Sequence, residues 1–144
     1  MRFLGHPVHP ILVAFPIALL VLTPIWDGLA LFDIAELAPV AYWTELAGLV
    51  GGGLALVTGL ADFIDLKEPS AELTRTALRH AGIAVATLGL FVIAFAVRGG
   101  ESSEPTLVVL GLELFGALGL GVTGWLGGHL VFGYGVGVDE RVRK

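Results

Sequence analysis

The chain has 144 residues, of which 56% are hydrophobic and 15% charged, with a formal net charge of −5 at pH 7. That length allows one compact domain, and the apolar share exceeds the roughly 45–50% of soluble domains, leaving too few charges to disperse a surface in water. The lack of cysteine excludes disulfides and thiolate metal sites, and an acidic balance without a basic cluster argues against nucleic acid.

Arg2 precedes a histidine- and proline-rich opening, Gly5-His6-Pro7-Val8-His9-Pro10, and the first apolar segment follows from about Ile11 to Leu31. No clean small-x-small cleavage site comes after it, and three more apolar segments lie downstream. The first segment therefore reads as a retained span rather than a signal peptide. The second runs from about Tyr42 to Phe63, the third from about His80 to Val97, and the fourth from about Leu107 to Phe132. Each approaches or exceeds the roughly 18–20 apolar residues that cross a bilayer as helix, and the third, the shortest, has room to borrow the turn before it. Lipid offers no partner for unpaired backbone groups, so helix is the expected form. The links between the spans are short, which predicts an all-α, up-down-up-down four-helix bundle forming one transmembrane domain over residues 1–144.

Arg2, Lys67, Arg75, Arg79, Arg141, Arg143 and Lys144 fall on the side expected to carry both termini, against Arg98 alone on the other. By the positive-inside rule the termini and the middle link are cytoplasmic. The opposite face carries Asp27, Asp33, Glu36, Glu45, Glu101 and Glu104. Glu113 lies deeper in span four, where a buried neutral carboxyl reaching toward Glu45, Trp43 or Thr44 is the plain expectation and a proton relay the functional one.

Small residues predict how the spans pack. Gly48, Gly51, Gly52, Ala55 and Gly59 form a stripe on span two, and Gly116, Gly119, Gly121, Gly124, Gly127 and Gly128 do so on span four. Such stripes let helix backbones approach closely, and they also leave a homodimer or a flat cofactor as alternatives. Val57-Thr58-Gly59 matches Val122-Thr123-Gly124, and Glu45-Leu46-Ala47-Gly48 echoes Glu113-Leu114-Phe115-Gly116 with a different offset. Spans one and three both open at a histidine, which fits two helical hairpins related by a two-fold axis along the membrane normal.

The histidines are the candidate site. His6, His9, His80 and His129 all reach the cytoplasmic side when spans alternate, and ionisable groups at the edge of a span tend toward function. Asp62 continues the small-residue stripe of span two, and His129 follows Trp125 by one turn as an inward candidate. A carboxylate beside imidazoles would orient a metal-bound ring. The competing structural readings are His-Pro capping of a helix start and an Asp62 bridge to Arg75 or Arg79.

The opening motif with Ala14-Phe15-Pro16-Ile17, together with Gly59-Leu60-Ala61-Asp62-Phe63, Arg79-His80 and Gly124-Trp125-Leu126-Gly127-Gly128-His129-Leu130-Val131, resembles the bacterial four-span membrane proteins grouped as domain-of-unknown-function family 2231. The resemblance covers nearly the whole chain. Relatives joined to Rieske iron–sulfur or cytochrome-like domains imply a link to membrane electron transfer, with a separate redox partner here.

Three functions follow from these residues. The first is a haem b protein, in which His9 and His80 are axial ligands, His6 and His129 form a second pair or join Arg79 at the propionates, and Trp125 is a further contact. The second is a non-haem site for zinc, iron or copper built from His6, His9, His80, His129 and Asp62. The third is a small-molecule or proton transporter, or a structural subunit of a membrane complex. No hydrolase triad, phosphate loop or His-Glu-x-x-His motif is present.

Overall fold

The computed structural model describes residues 2–3, 6–32 and 34–138. Two short strands, β1 (Arg2–Phe3) and β2 (His6–Pro7), pair antiparallel ahead of the helices. Four helices follow: α1 (Val8–Phe32), α2 (Ala38–Ile64), α3 (Ala71–Arg98) and α4 (Leu107–Phe132). All four are long and apolar enough to cross a membrane. Between α1 and α2 the chain makes one 3-10 turn, Ala35–Leu37.

Local chemistry sets the helix ends. Pro39 sits in the first turn of α2, where a missing N–H costs nothing. Ser70 caps α3 by accepting from Leu73 N at 3.1 Å, and Thr106 caps α4 by accepting from Val109 N at 3.3 Å. Gly99 ends α3 at φ 94°, a conformation that suits a residue without Cβ. Span three was expected from about His80 with room to borrow the turn before it, and the helix that carries it extends further back. The helix begins at Ala71, because hydropathy registers where lipid contact starts while capping decides where helix starts. His80 is therefore well inside α3, and Arg75 and Arg79 are helical rather than in a link.

α1 packs closely along α2, and α3 along α4, while smaller interfaces between α1 and α4 and between α2 and α3 join the two hairpins. The outward surface is apolar: Ile11, Phe15, Leu60, Val85, Leu118 and Phe132 are among many large exposed side chains. Inside stand Asp27, Glu45, Arg98, Glu113, Thr23, Thr58 and Thr87, all buried. A water-soluble bundle would place these two sets the other way round, so the distribution fits lipid as the outer solvent.

The two hairpins repeat each other residue by residue. A methyl group at Gly48 would stand 2.6 Å from Leu20 Cδ2, and one at Gly116 would stand 2.6 Å from Phe91 Cε2. Gly51 faces Pro16 as Gly119 faces Thr87, and Gly59 faces His9 as Gly127 faces His80. One constant step along the chain relates Pro16 to Thr87, Leu20 to Phe91 and His9 to His80. A second relates Gly48 to Gly116, Gly51 to Gly119 and Gly59 to Gly127. The Glu45/Glu113 echo carries this second step. The match of Val57-Thr58-Gly59 to Val122-Thr123-Gly124 does not: it is displaced by three residues, about one helical turn.

The glycine stripe of α2 is packing throughout its length, but that of α4 divides. Gly116, Gly119 and Gly127 meet neighbouring side chains, whereas a methyl group at Gly121 or Gly124 would meet nothing within 4 Å. Periodicity alone does not separate the two groups.

Candidate functional site

Two polar centres stand at opposite ends of the bundle. The first lies at the end where α1 begins and α4 finishes, and it contains His9 and His80. His9 Nδ1 is 2.8 Å from the carbonyl oxygen of Ala55, and His80 Nδ1 is 3.1 Å from that of Thr123. A carbonyl only accepts, so each Nδ1 is the N–H donor, and in a neutral ring Nε2 then carries the free lone pair. Thr58 Oγ1 lies a further 3.4 Å from His9 Nδ1 and anchors itself on the carbonyls of Leu54 and Ala55. Ala55 and Thr123 are equivalent positions of the repeat, as are Gly59 and Gly127.

The absence of a Cβ at those glycines seats the rings. A Cβ on Gly59 would meet His9 Cε1 at 2.9 Å, and one on Gly127 would meet His80 Cε1 at 3.2 Å. Each imidazole is thereby held close against the neighbouring helix of its own hairpin. The two rings face each other between hairpins with centroids 6.4 Å apart and planes at 87°.

The remaining predicted residues scatter. His129 is exposed, stacked on Trp125 at 6.0 Å and edge-on to Tyr134 at 5.2 Å. Its inward placement is corrected: the buried face of α4 runs through Val109, Glu113, Gly116, Leu126 and Leu130, and His129 lies on another face. Trp125 is 71% exposed and points to the lipid side. Arg79 is exposed next to His80, and Asp62 is half-buried in the last turn of α2. The His6 side chain lies outside the described residues. Among the described residues, no three His, Asp or Glu side chains gather closely enough to hold a metal.

The second centre was not anticipated as a unit. Arg98, read from sequence as a link residue, is the last residue of α3, and its side chain is fully buried. Its Nη2 donates to Asp27 Oδ2 and, at 3.0 Å, to Glu113 Oε1, while its Nε lies 3.5 Å from Glu45 Oε2. Each helix contributes one member: Asp27 from α1, Glu45 from α2, Arg98 from α3 and Glu113 from α4. The two steps of the repeat relate Asp27 to Arg98 and Glu45 to Glu113, so the centre lies on the same approximate axis as the histidines. The available signal was the paired Glu45 and Glu113. Counting Asp27, Glu45 and Arg98 as face charges hid it. At the surface nearby, Trp43 Nε1 donates to Glu101 Oε2 at 2.8 Å.

His9 and Asp27 are separated along α1 by about 27 Å at about 1.5 Å per residue. That is close to the roughly 30 Å hydrocarbon thickness of a bilayer. One polar centre therefore stands near each edge of the apolar layer.

A four-helix integral membrane bundle of two repeated hairpins, with a histidine pair at one end and a buried ionic centre at the other, defines the class of protein. Residues 5–140 match the family model described as predicted membrane protein DUF2231, and the chain belongs to that family. Neither the curated proteins nor the solved structures contain a match to it.

Proposed function

We propose that this protein carries a b-type haem between its two hairpins, with His9 and His80 as the axial ligands, and serves electron transfer in a bacterial inner membrane. The observation that carries the reading is the paired imidazole geometry. Two metal–nitrogen bonds of about 2 Å, each with about 1.1 Å from nitrogen to ring centre, put centroids roughly 6 Å apart. The separation here is 6.4 Å. Both Nδ1 atoms are committed to backbone carbonyls, which directs the lone pair of each ring to Nε2 and fixes ring orientation, as outer-shell partners of ligating histidines do.

The ligand count favours haem over a bare ion. A macrocycle supplies four nitrogens and asks the protein for two axial ligands, whereas zinc asks for three or four side chains. Among the described residues the pair has no third His, Asp or Glu beside it. Bound there, haem would supply one-electron chemistry. The exposed Arg79 next to His80 suits a propionate. The cation bias of the sequence supports a cytoplasmic side for the histidine end and both termini, and the electron partner would be a separate protein of the Rieske or cytochrome kind.

The test is the absorption spectrum of detergent-purified protein expressed with haem supplied, oxidised and then dithionite-reduced, with metal analysis of the same sample. A Soret band with sharpened reduced bands, lost in both His9→Ala and His80→Ala, is expected. A colourless sample overturns the haem reading. Stoichiometric zinc, iron or copper would then assign the pair to a non-haem ion, and an empty sample would favour transport or a structural role.

A further inference from the structure

The buried centre formed by Asp27, Glu45, Arg98 and Glu113 contains three carboxyls and one guanidinium. All four side chains are sealed from solvent, with Asp27, Glu45 and Glu113 at 0% exposure and Arg98 at 5% as a residue. Fully ionised, the group would hold two negative charges in excess. Burying uncompensated charge in a low-dielectric interior is costly enough that a neutralising partner is required. The helices packed around it offer no second cation at this level: Thr23 is the other buried polar side chain nearby on α1, and its hydroxyl donates to Leu19 O.

Unsatisfied atoms show where the compensation belongs. Arg98 Nε and Nη1 are buried without a hydrogen-bond partner, and so are Asp27 Oδ1, both carboxyl oxygens of Glu45, and Glu113 Oε2. On an ionised carboxylate these oxygens are acceptors with nothing to accept. A proton turns one oxygen of a carboxyl into a donor, which supplies the missing charge and a missing hydrogen bond together. A metal ion fits less well, because the guanidinium of Arg98 already occupies the point where the carboxyls converge.

We propose that this centre is a proton-binding site. It holds two exchangeable protons, shared among Asp27, Glu45 and Glu113, with Arg98 as the fixed counter-charge. The protons belong to the group rather than to any one residue, as expected for strongly interacting acids. They exchange with the face of the bundle where Glu36, Glu101 and Glu104 are exposed, an acidic rim that concentrates cations near the site. The inference stands independently of what the histidines bind.

Infrared spectroscopy of the full chain in lipid nanodiscs near neutral pH tests it. Exposed carboxyls are ionised there, so the carbonyl stretch of protonated carboxyl groups reports the buried centre. Absorption equivalent to about two groups per chain is expected, with a shift on transfer to D2O. Glu45→Gln or Glu113→Gln should each halve the signal, and the double variant should abolish it, because Asp27 and Arg98 then neutralise each other. Three results overturn the proposal: no protonated-carboxyl absorption in the wild-type protein, a band that stays at its H2O position in D2O, or a signal that survives the double variant. The wild-type spectrum decides the first two even where a variant fails to fold. Stoichiometric metal together with fully ionised carboxyls would also overturn it.

Discussion

Arg98 donates from the end of α3 to Asp27 on α1, and these two residues occupy equivalent positions in the two hairpins. Symmetry-related sites thus carry opposite charges, and the bond between them ties together helices that belong to different hairpins. Glu45 and Glu113, equivalent in the same sense, flank the pair with two further carboxyls.

Replacing Arg98 with Met should be severe, because it leaves three buried carboxyls with no cation. A loss of about 3–5 kcal/mol is expected from breaking a buried pair on one side. Unfolding in mixed detergent micelles, followed by circular dichroism, measures it. The swap Asp27→Arg with Arg98→Asp puts the pair back with its polarity reversed and should recover more than half of the loss. Equal instability of the swap and of Arg98→Met would contradict the equivalence of the two positions.

Glycines that look alike in sequence should respond differently. Gly116→Ala drives a methyl group to 2.6 Å from the buried ring of Phe91 and should cost about 1–3 kcal/mol through overpacking. Gly121→Ala meets open space and should be neutral or stabilising by up to about 1 kcal/mol, the helix-propensity gain of alanine over glycine. The same unfolding assay compares them.

The imidazole tautomers are open to direct measurement. Nitrogen-15 NMR of the ligand-free protein should find His9 and His80 as Nδ1–H tautomers, and His129 should not share their signature. Gly59→Ala, by pushing on the His9 ring, should lower bound haem per chain several-fold, while Gly124→Ala should leave it unchanged. Equal haem content in the two variants would show that ring placement does not control the site.

The chain has no cysteine, so single cysteines report orientation without background. On the orientation proposed from the cation bias, Ser70→Cys should be labelled by a membrane-impermeant maleimide only after the inner membrane is opened. Ser102→Cys should be labelled from the outside of intact spheroplasts. The reverse pattern would overturn the orientation drawn from the cation bias.

Much of the architecture was legible in the residues. The fourth span was expected at Leu107–Phe132 and α4 has those bounds, because Thr106 caps the helix where its apolar stretch starts. The helix carrying the third starts earlier than the apolar stretch, since Ala71–Arg79 is helical but carries charges. The His9–His80 pairing was expected from the repeat, and the structure brings those rings together. His129 was expected to face inward because it follows Trp125 by one turn, but Trp125 is itself exposed and His129 stacks on it, away from the axis.

The sequence by itself determined four apolar spans, their alternation, and the side on which each histidine falls, because lipid imposes those features on any chain with this hydropathy. Only the tertiary structure decided which charges leave the solvent. Asp27, Glu45, Arg98 and Glu113 lie far apart in the chain, and each alone reads as a residue near a membrane surface. Packing two repeated hairpins about a common axis brings one residue from each helix to a single point. There, mutual attraction and the cost of exposing charge to lipid hold them inside the bundle.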